Sequence, residues 1–241
     1  MIKFKAIIWK EWIIFKNTLI STSVSSVIGP VLYLTAFGWG LGDSVSFEGG
    51  SYTSFVIPGI IAMNSMSSSF GYIANDINLS RTYMKTFEAV MISPVSMHLY
   101  TAARISAAAA RSLFGTVLII LLSFLFGSGV NIDAHFVIVI VMNSLVFSAA
   151  GFIAGLIVDT HAGMAKVTNF VITPMSFLCG TFFPVERFPA VLQKIFGILP
   201  LTETVSSLRA GSEAGWGGAA VLLIYFALLF PAASVLCKRA E

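Results

Sequence analysis

Six stretches of this chain, residues 18–42, 55–74, 112–130, 136–158, 167–183 and 217–236, contain no Lys, Arg, Asp or Glu. A hydrocarbon layer of ~30 Å is crossed by about 20 helical residues. Backbone polar groups inside it must be satisfied within the segment, and the runs lack the residue alternation of a barrel, so helices are dictated. Composition agrees: the chain is 57% hydrophobic and 10% charged, where soluble domains carry roughly a quarter charged residues. The expectation is an all-α membrane protein of six transmembrane helices, a single domain over residues 1–241 with no soluble domain attached.

Cation placement sets the orientation. Lys3, Lys5, Lys10 and Lys16 precede the first run; Arg81, Lys85, Arg104 and Arg111 lie between the second and third; Lys166 lies between the fourth and fifth; Lys238 and Arg239 end the chain. The alternate loops, 43–54 and 131–135, contain no Lys or Arg, so both termini are expected in the cytoplasm. Segment 184–215 mixes Arg187, Lys194 and Arg209 with Glu186, Glu203 and Glu213, and is placed outside.

Residues 1–17 interleave lysines with Phe4, Ile8, Trp12 and Phe15 at helical spacing. This is not the layout of a signal peptide. It reads as an amphipathic helix in the cytoplasmic interface, its lysines reaching anionic membrane lipid, or alternatively as a cationic start to the first span.

Little catalytic chemistry is available. No run holds an ionisable residue of the kind that marks proton- or sodium-driven transport. His98, His135 and His161 lie at run ends or in loops, without a metal-binding helix motif. Asp159 and His161 read as a solvated turn, and Cys179 and Cys237 as small apolar fillers. No phosphate-binding loop is present, so no nucleotide, metal or other cofactor is expected on this chain, and it is not read as an enzyme. Energy, where used, comes from a partner.

Within the cytoplasmic segment 75–98, residues 81–92 read as a short helix with Ser80 as its cap and Ser93-Pro94 as its stop. Met84, Phe87 and Met91 then share one apolar face, with Lys85 and Glu88 off it. Such a helix suits a groove on another protein, or rests on lipid.

The stretch "KTFEAVMISPVS" resembles the coupling segment of ABC-2 type ABC exporter permeases: Thr86, Glu88, Val90 or Met91, Ser93 and Pro94 fall on its pattern, and Lys85 stands where glycine is frequent. "FLCGTFFPVERFPAVLQKIFGILPLTETVSSLRAG" resembles the family's signature, through Gly180, Phe183, Pro184, Phe188, Pro189, Leu199, Pro200, Leu201, Thr202 and Arg209, with Cys179 where serine is common. "YTSFVIPGIIAMNSM" resembles the family's entry to the second span. The similarity covers nearly the whole chain, with lipo-oligosaccharide, polysaccharide and drug exporters nearest.

This resemblance implies a permease in a bacterial or archaeal cytoplasmic (inner) membrane. It would be a homodimer served by two copies of a separate ABC ATPase that binds ATP and Mg, exporting an amphipathic substrate such as a glycolipid, a lipid-linked saccharide or a hydrophobic drug. The resemblance assigns ATPase coupling to Tyr83, Met84, Lys85, Phe87, Glu88, Val90 and Met91. It assigns an outer gate to Phe183, Pro184, Phe188, Pro189, Leu199 and Pro200, in a re-entrant helical pair started by Pro189, broken at Leu199-Pro200 and restarted with Thr202 as cap. Ser21, Thr22, Ser25, Asn64, Ser67 and Ser68 either pack helices or line the path. Gly151 and Gly155 read as a packing pair, and Arg104 and Arg111 as snorkelling cations or grips on ATPase or headgroups. No nucleic-acid partner is expected. The other open reading is a non-transporting membrane subunit that transmits conformational change to, or scaffolds, a biosynthetic or regulatory complex.

Overall fold

The computed structural model describes residues 2–39, 46–47, 50–125 and 130–239. Apart from a two-residue ladder pairing Ser46–Phe47 with Gly50–Ser51, the described residues are helices and their connections. Residues 43–45 and 48–49 of the outer loop expected at 43–54 lie outside the described residues, as do 40–42 of the first apolar run and 126–129 of the third.

In chain order the helices are α1 (Ile2–Asn17), α2 (Leu19–Tyr33), α3 (Tyr52–Thr82), α4 (Thr86–Met91), α5 (Met97–Leu125), α6 (Ala134–Ile157), α7 (His161–Val167), α8 (Thr173–Leu178), α9 (Ala190–Gly197), α10 (Pro200–Ala210) and α11 (Gly217–Arg239). A π-helical turn, Leu34–Trp39, continues α2, and another, Thr168–Ile172, joins α7 to α8.

Among the described residues, four helices are long and apolar enough to cross a membrane: Leu19–Ala36, Met97–Leu125, Ala134–Ile157 and Gly217–Arg239. The other two expected spans differ for separate reasons. The run 55–74 sits inside α3, which is 31 residues long but carries Asn64, Ser65, Ser67, Ser68 and Ser69 in its middle. It tolerates them because Ser65 and Ser69 are wholly buried and hydrogen-bonded, Ser65 to Ser144 across the α3–α6 contact at 2.8 Å. The run 167–183 is divided into a π turn, the six-residue α8 and a terminating turn.

The centre is α3 against α6. A Cβ added at Gly151 would lie 2.6 Å from the Phe70 carbonyl oxygen, and one at Gly155 2.8 Å from that of Ala74, so only glycine permits the approach. Ser112 of α5 closes this contact by donating to the Ser65 carbonyl at 2.9 Å. The start of α6 is fixed by Asp133, whose carboxylate accepts the Phe136 N–H at 2.7 Å. That bond holds the Asp133 pKa below its ordinary value.

The N-terminal helix is tied to the bundle by contacts with segments far along the chain. Lys3 reaches the Pro94 carbonyl, Glu11 pairs with Arg104, and Arg111 donates to Thr18 and Thr22, with sequence separations of 91, 93, 93 and 89. A nearly constant offset between residues 3–22, on α1 and the start of α2, and residues 94–111, leading into and along α5, means that α1 and α5 run parallel. Since α5 is one unbroken helix, α1 follows it along the bundle. Its lysines remain outward: Lys3, Lys5, Lys10 and Lys16 are exposed.

Candidate functional site

Four helix ends meet at one end of the bundle: the C-termini of α3, α6 and α11 and the N-terminus of α5. Asn78 donates to the Val158 carbonyl at 2.6 Å, and Arg81 donates to the carbonyls of Gly155 and Leu156. Those carbonyls are left free where α6 ends, so α3 and α6 are tied together there. The exposed Arg81–Asp159 pair at 3.4 Å adds little.

Beyond Thr82 the chain turns sharply, and Lys85 takes φ 50 and ψ 17, the left-handed region that glycine enters without strain. The helix therefore starts at Thr86, later than the expected 81–92, and Ser80 is not its cap: it lies inside α3, bonded to the Ile77 carbonyl. The late start breaks the expected ridge. Met84 stays in the turn, 62% exposed, while Phe87 is 4% exposed and packs edge-on against Tyr100, with ring centroids 6.2 Å apart. Val90 and Met91 pack on the same inner cluster, with Ile77, Phe152 and Cys237. The outward face is Tyr83, Met84, Lys85, Glu88 and Ile92, with Ile92 89% exposed. Phe87 is thus an internal anchor of α4 and is not available to fill a partner's groove.

Beside this platform lies a charged cluster that sequence reasoning missed. Arg104, 5% exposed, pairs with both Glu11 of α1 and Asp76 of α3, and Tyr72 donates to Glu11 at 2.7 Å. Neither snorkelling nor a grip on a partner describes Arg104. The available signal was Glu11 itself, the one acidic residue before Asp43. Arg111 lies over the Tyr72 ring at 4.2 Å and donates to Thr18 and Thr22 at 3.0 and 2.6 Å.

The other two family-like stretches, 52–66 and 177–211, converge at the opposite end. A Cβ at Gly59 would meet the Thr181 carbonyl oxygen at 2.6 Å, Tyr52 donates to the Phe182 carbonyl at 3.0 Å, and Gly180 has φ +85. Arg209 joins them, donating to the carbonyls of Phe55 and Thr181 at 3.0 Å each, with its guanidinium 3.5 Å from the Phe55 ring centroid. Among the expected gate residues, Phe188 packs edge-on against Phe196 at 5.4 Å, Phe183 and Pro189 are exposed, and Pro184, Leu199 and Pro200 are half-buried. Pro189 precedes α9 and Pro200 opens α10 as expected. Thr202 is not a cap; it lies within α10 and donates to the Phe196 carbonyl at 2.6 Å.

The hydroxyl candidates do not form one lining. Ser21 and Ser25 are exposed on α2, Thr22 accepts from Arg111, Ser67 and Ser68 are half-buried, and Asn64 faces the α2–α5 contact near Gly115. No group of three or more His, Cys, Asp or Glu among the described residues is placed to hold a metal.

A model of the family described as ABC-2 type transporter matches residues 2–212. The chain belongs to the ABC-2 type transporter family. It is 28% identical over 215 residues to the inner membrane transport permease YadH of Escherichia coli K12, covering 87% of this chain and 82% of the relative. It is 26% identical to nodulation protein J of Rhizobium leguminosarum bv. viciae, covering 84% and 79%, and 25% identical to that of Bradyrhizobium diazoefficiens, covering 96% and 92%. No solved structure matches. As an ABC-2 permease the chain is the membrane subunit of an ABC transporter, a class whose ATPase is a separate chain.

Proposed function

We propose that this ABC-2 permease is the export path of an ATP-driven transporter in a bacterial or archaeal inner membrane. Two copies would pair, each served by one copy of a separate ATPase that binds ATP and Mg, and would move an amphipathic substrate outward. Glycolipid, lipid-linked saccharide and hydrophobic drug are the candidate classes, and relatives named as a transport permease and as nodulation protein J support the reading. In this reading α3 and the α7–α8 segment complete six spans, both termini are cytoplasmic, and α9 and α10 form the outer re-entrant gate.

The observation that carries the proposal is the seating of α4. Phe87 fixes it to α5, the Arg81 and Asn78 bonds fix the adjoining end of α3 to α6, and Tyr83, Met84, Glu88 and Ile92 stay outward. A push from an ATPase on that face would reach α3, α5 and α6 together, because packed elements move as units rather than deforming.

The test separates docking from folding. Glu88→Arg combined with Ile92→Asp changes only exposed side chains and should cut co-purification of the ATPase and abolish export at normal membrane levels. Normal ATPase yield and normal export in that variant would remove α4 as the coupling element.

A further inference from the structure

A cavity of about 120 Å³ lies where α1, α3 and α5 meet. Its walls are Trp12 and Phe15 from α1, Tyr72 from α3, and Ala107 and Ala110 from α5, with Arg111 at its edge. Trp12 is half exposed, so the cavity reaches the protein surface.

Arg111 is incompletely satisfied there. Its Nη2 donates to Thr18 and Thr22, while Nη1 is buried without a hydrogen-bond partner. Glu11 also lines the cavity, but its two carboxylate oxygens accept from Arg104 and Tyr72. Nη1 keeps N–H donors for an anion's oxygens, and a buried charged donor left unpaired is costly. At ~30 Å³ per water the volume holds about four waters, which suits a headgroup phosphate and excludes a whole lipid. The apolar and aromatic walls suit the glycerol and first methylenes behind that phosphate. Lys16, exposed one helical turn beyond Trp12 on α1, favours net negative charge near the cavity.

We infer that this cavity binds the phosphate of an acidic membrane phospholipid on Arg111, with its apolar stem against Trp12 and Phe15. The lipid would complete the junction of α1, α3 and α5 beside the Glu11–Arg104–Asp76 cluster.

The probe is the full chain in nanodiscs of equal phosphatidylglycerol and phosphatidylcholine, transferred to detergent, with retained lipids counted by native mass spectrometry. Phosphatidylglycerol should be retained over phosphatidylcholine by about fivefold, the ratio that ~1 kcal/mol per favourable surface charge gives. Arg111→Gln should bring the two close to equality. Ala110→Leu, which fills the cavity while leaving the guanidinium in place, should do the same, and Leu keeps helix propensity. Equal retention in the wild-type chain, or an unchanged preference in Ala110→Leu, overturns the inference. Displacement of phosphatidylglycerol by excess inorganic phosphate would make this a free-anion site and also overturn it.

Discussion

Lys85 is the one non-glycine residue with positive φ among the described residues. A left-handed residue with a Cβ costs about 1–2 kcal/mol, against about 0.5–1 kcal/mol for the extra freedom glycine loses on folding. Lys85→Gly should therefore raise stability by up to about 1 kcal/mol, read as a higher melting temperature in detergent; a lower one would mean that the lysine side chain has a stabilising partner. Arg104 carries the opposite expectation. Its removal leaves Glu11, 6% exposed at its side chain, beside Asp76 with no cation between them. Breaking a buried pair costs about 3–5 kcal/mol, so Arg104→Gln should melt well below wild type. Adding Glu11→Gln and Asp76→Asn should restore much of the loss, and three independent, additive losses would show that the cluster is not a unit.

At the level of elements, α3 and α6 depend on two glycines that sequence spacing identified. Gly151→Ala places a methyl 2.6 Å from a backbone oxygen, and overpacking of this kind costs about 1–3 kcal/mol; thermal unfolding at wild-type temperature would show that the helices can separate freely. Phe87→Ala should also destabilise the fold, by about 3–5 kcal/mol, because the ring is buried in its own chain. That distinguishes it from the exposed Glu88 and Ile92, whose replacement leaves melting unchanged. The apolar runs, the helix break at Leu199-Pro200 and the existence of α4 were legible because each rests on local composition or on proline. The facing of α4 was not, because one left-handed residue resets the helical register. The Glu11–Arg104–Asp76 cluster was hidden for a different reason: Arg104 lies 28 residues from Asp76 and 93 from Glu11, and each alone looks like an interface charge.

For the whole molecule, the outward placement of α9 and the inward placement of the α6–α7 turn are testable against a quiet background, since Cys179 and Cys237 are fully buried. Lys194→Cys should react with an impermeant maleimide in intact cells, and His161→Cys only after permeabilisation; the reverse pattern would invert the proposed topology. Charge-free runs predict six spans, whereas four helices among the described residues are long and apolar enough to cross a membrane; the other two runs differ because α3 keeps buried serines at the centre of the bundle and α7–α8 is divided by a π turn. The parallel course of α1 and α5 also has a consequence in time. The partners of α1 lie about ninety residues further along the chain, and at a synthesis rate of ~5–20 residues per second they emerge roughly 5–20 s after it. Through that interval Glu11 has no Arg104 and Thr18 has no Arg111, so α1 is made well before its cationic partners can lock it in place, and whatever escorts the nascent chain must shelter a carboxylate whose cation has yet to emerge.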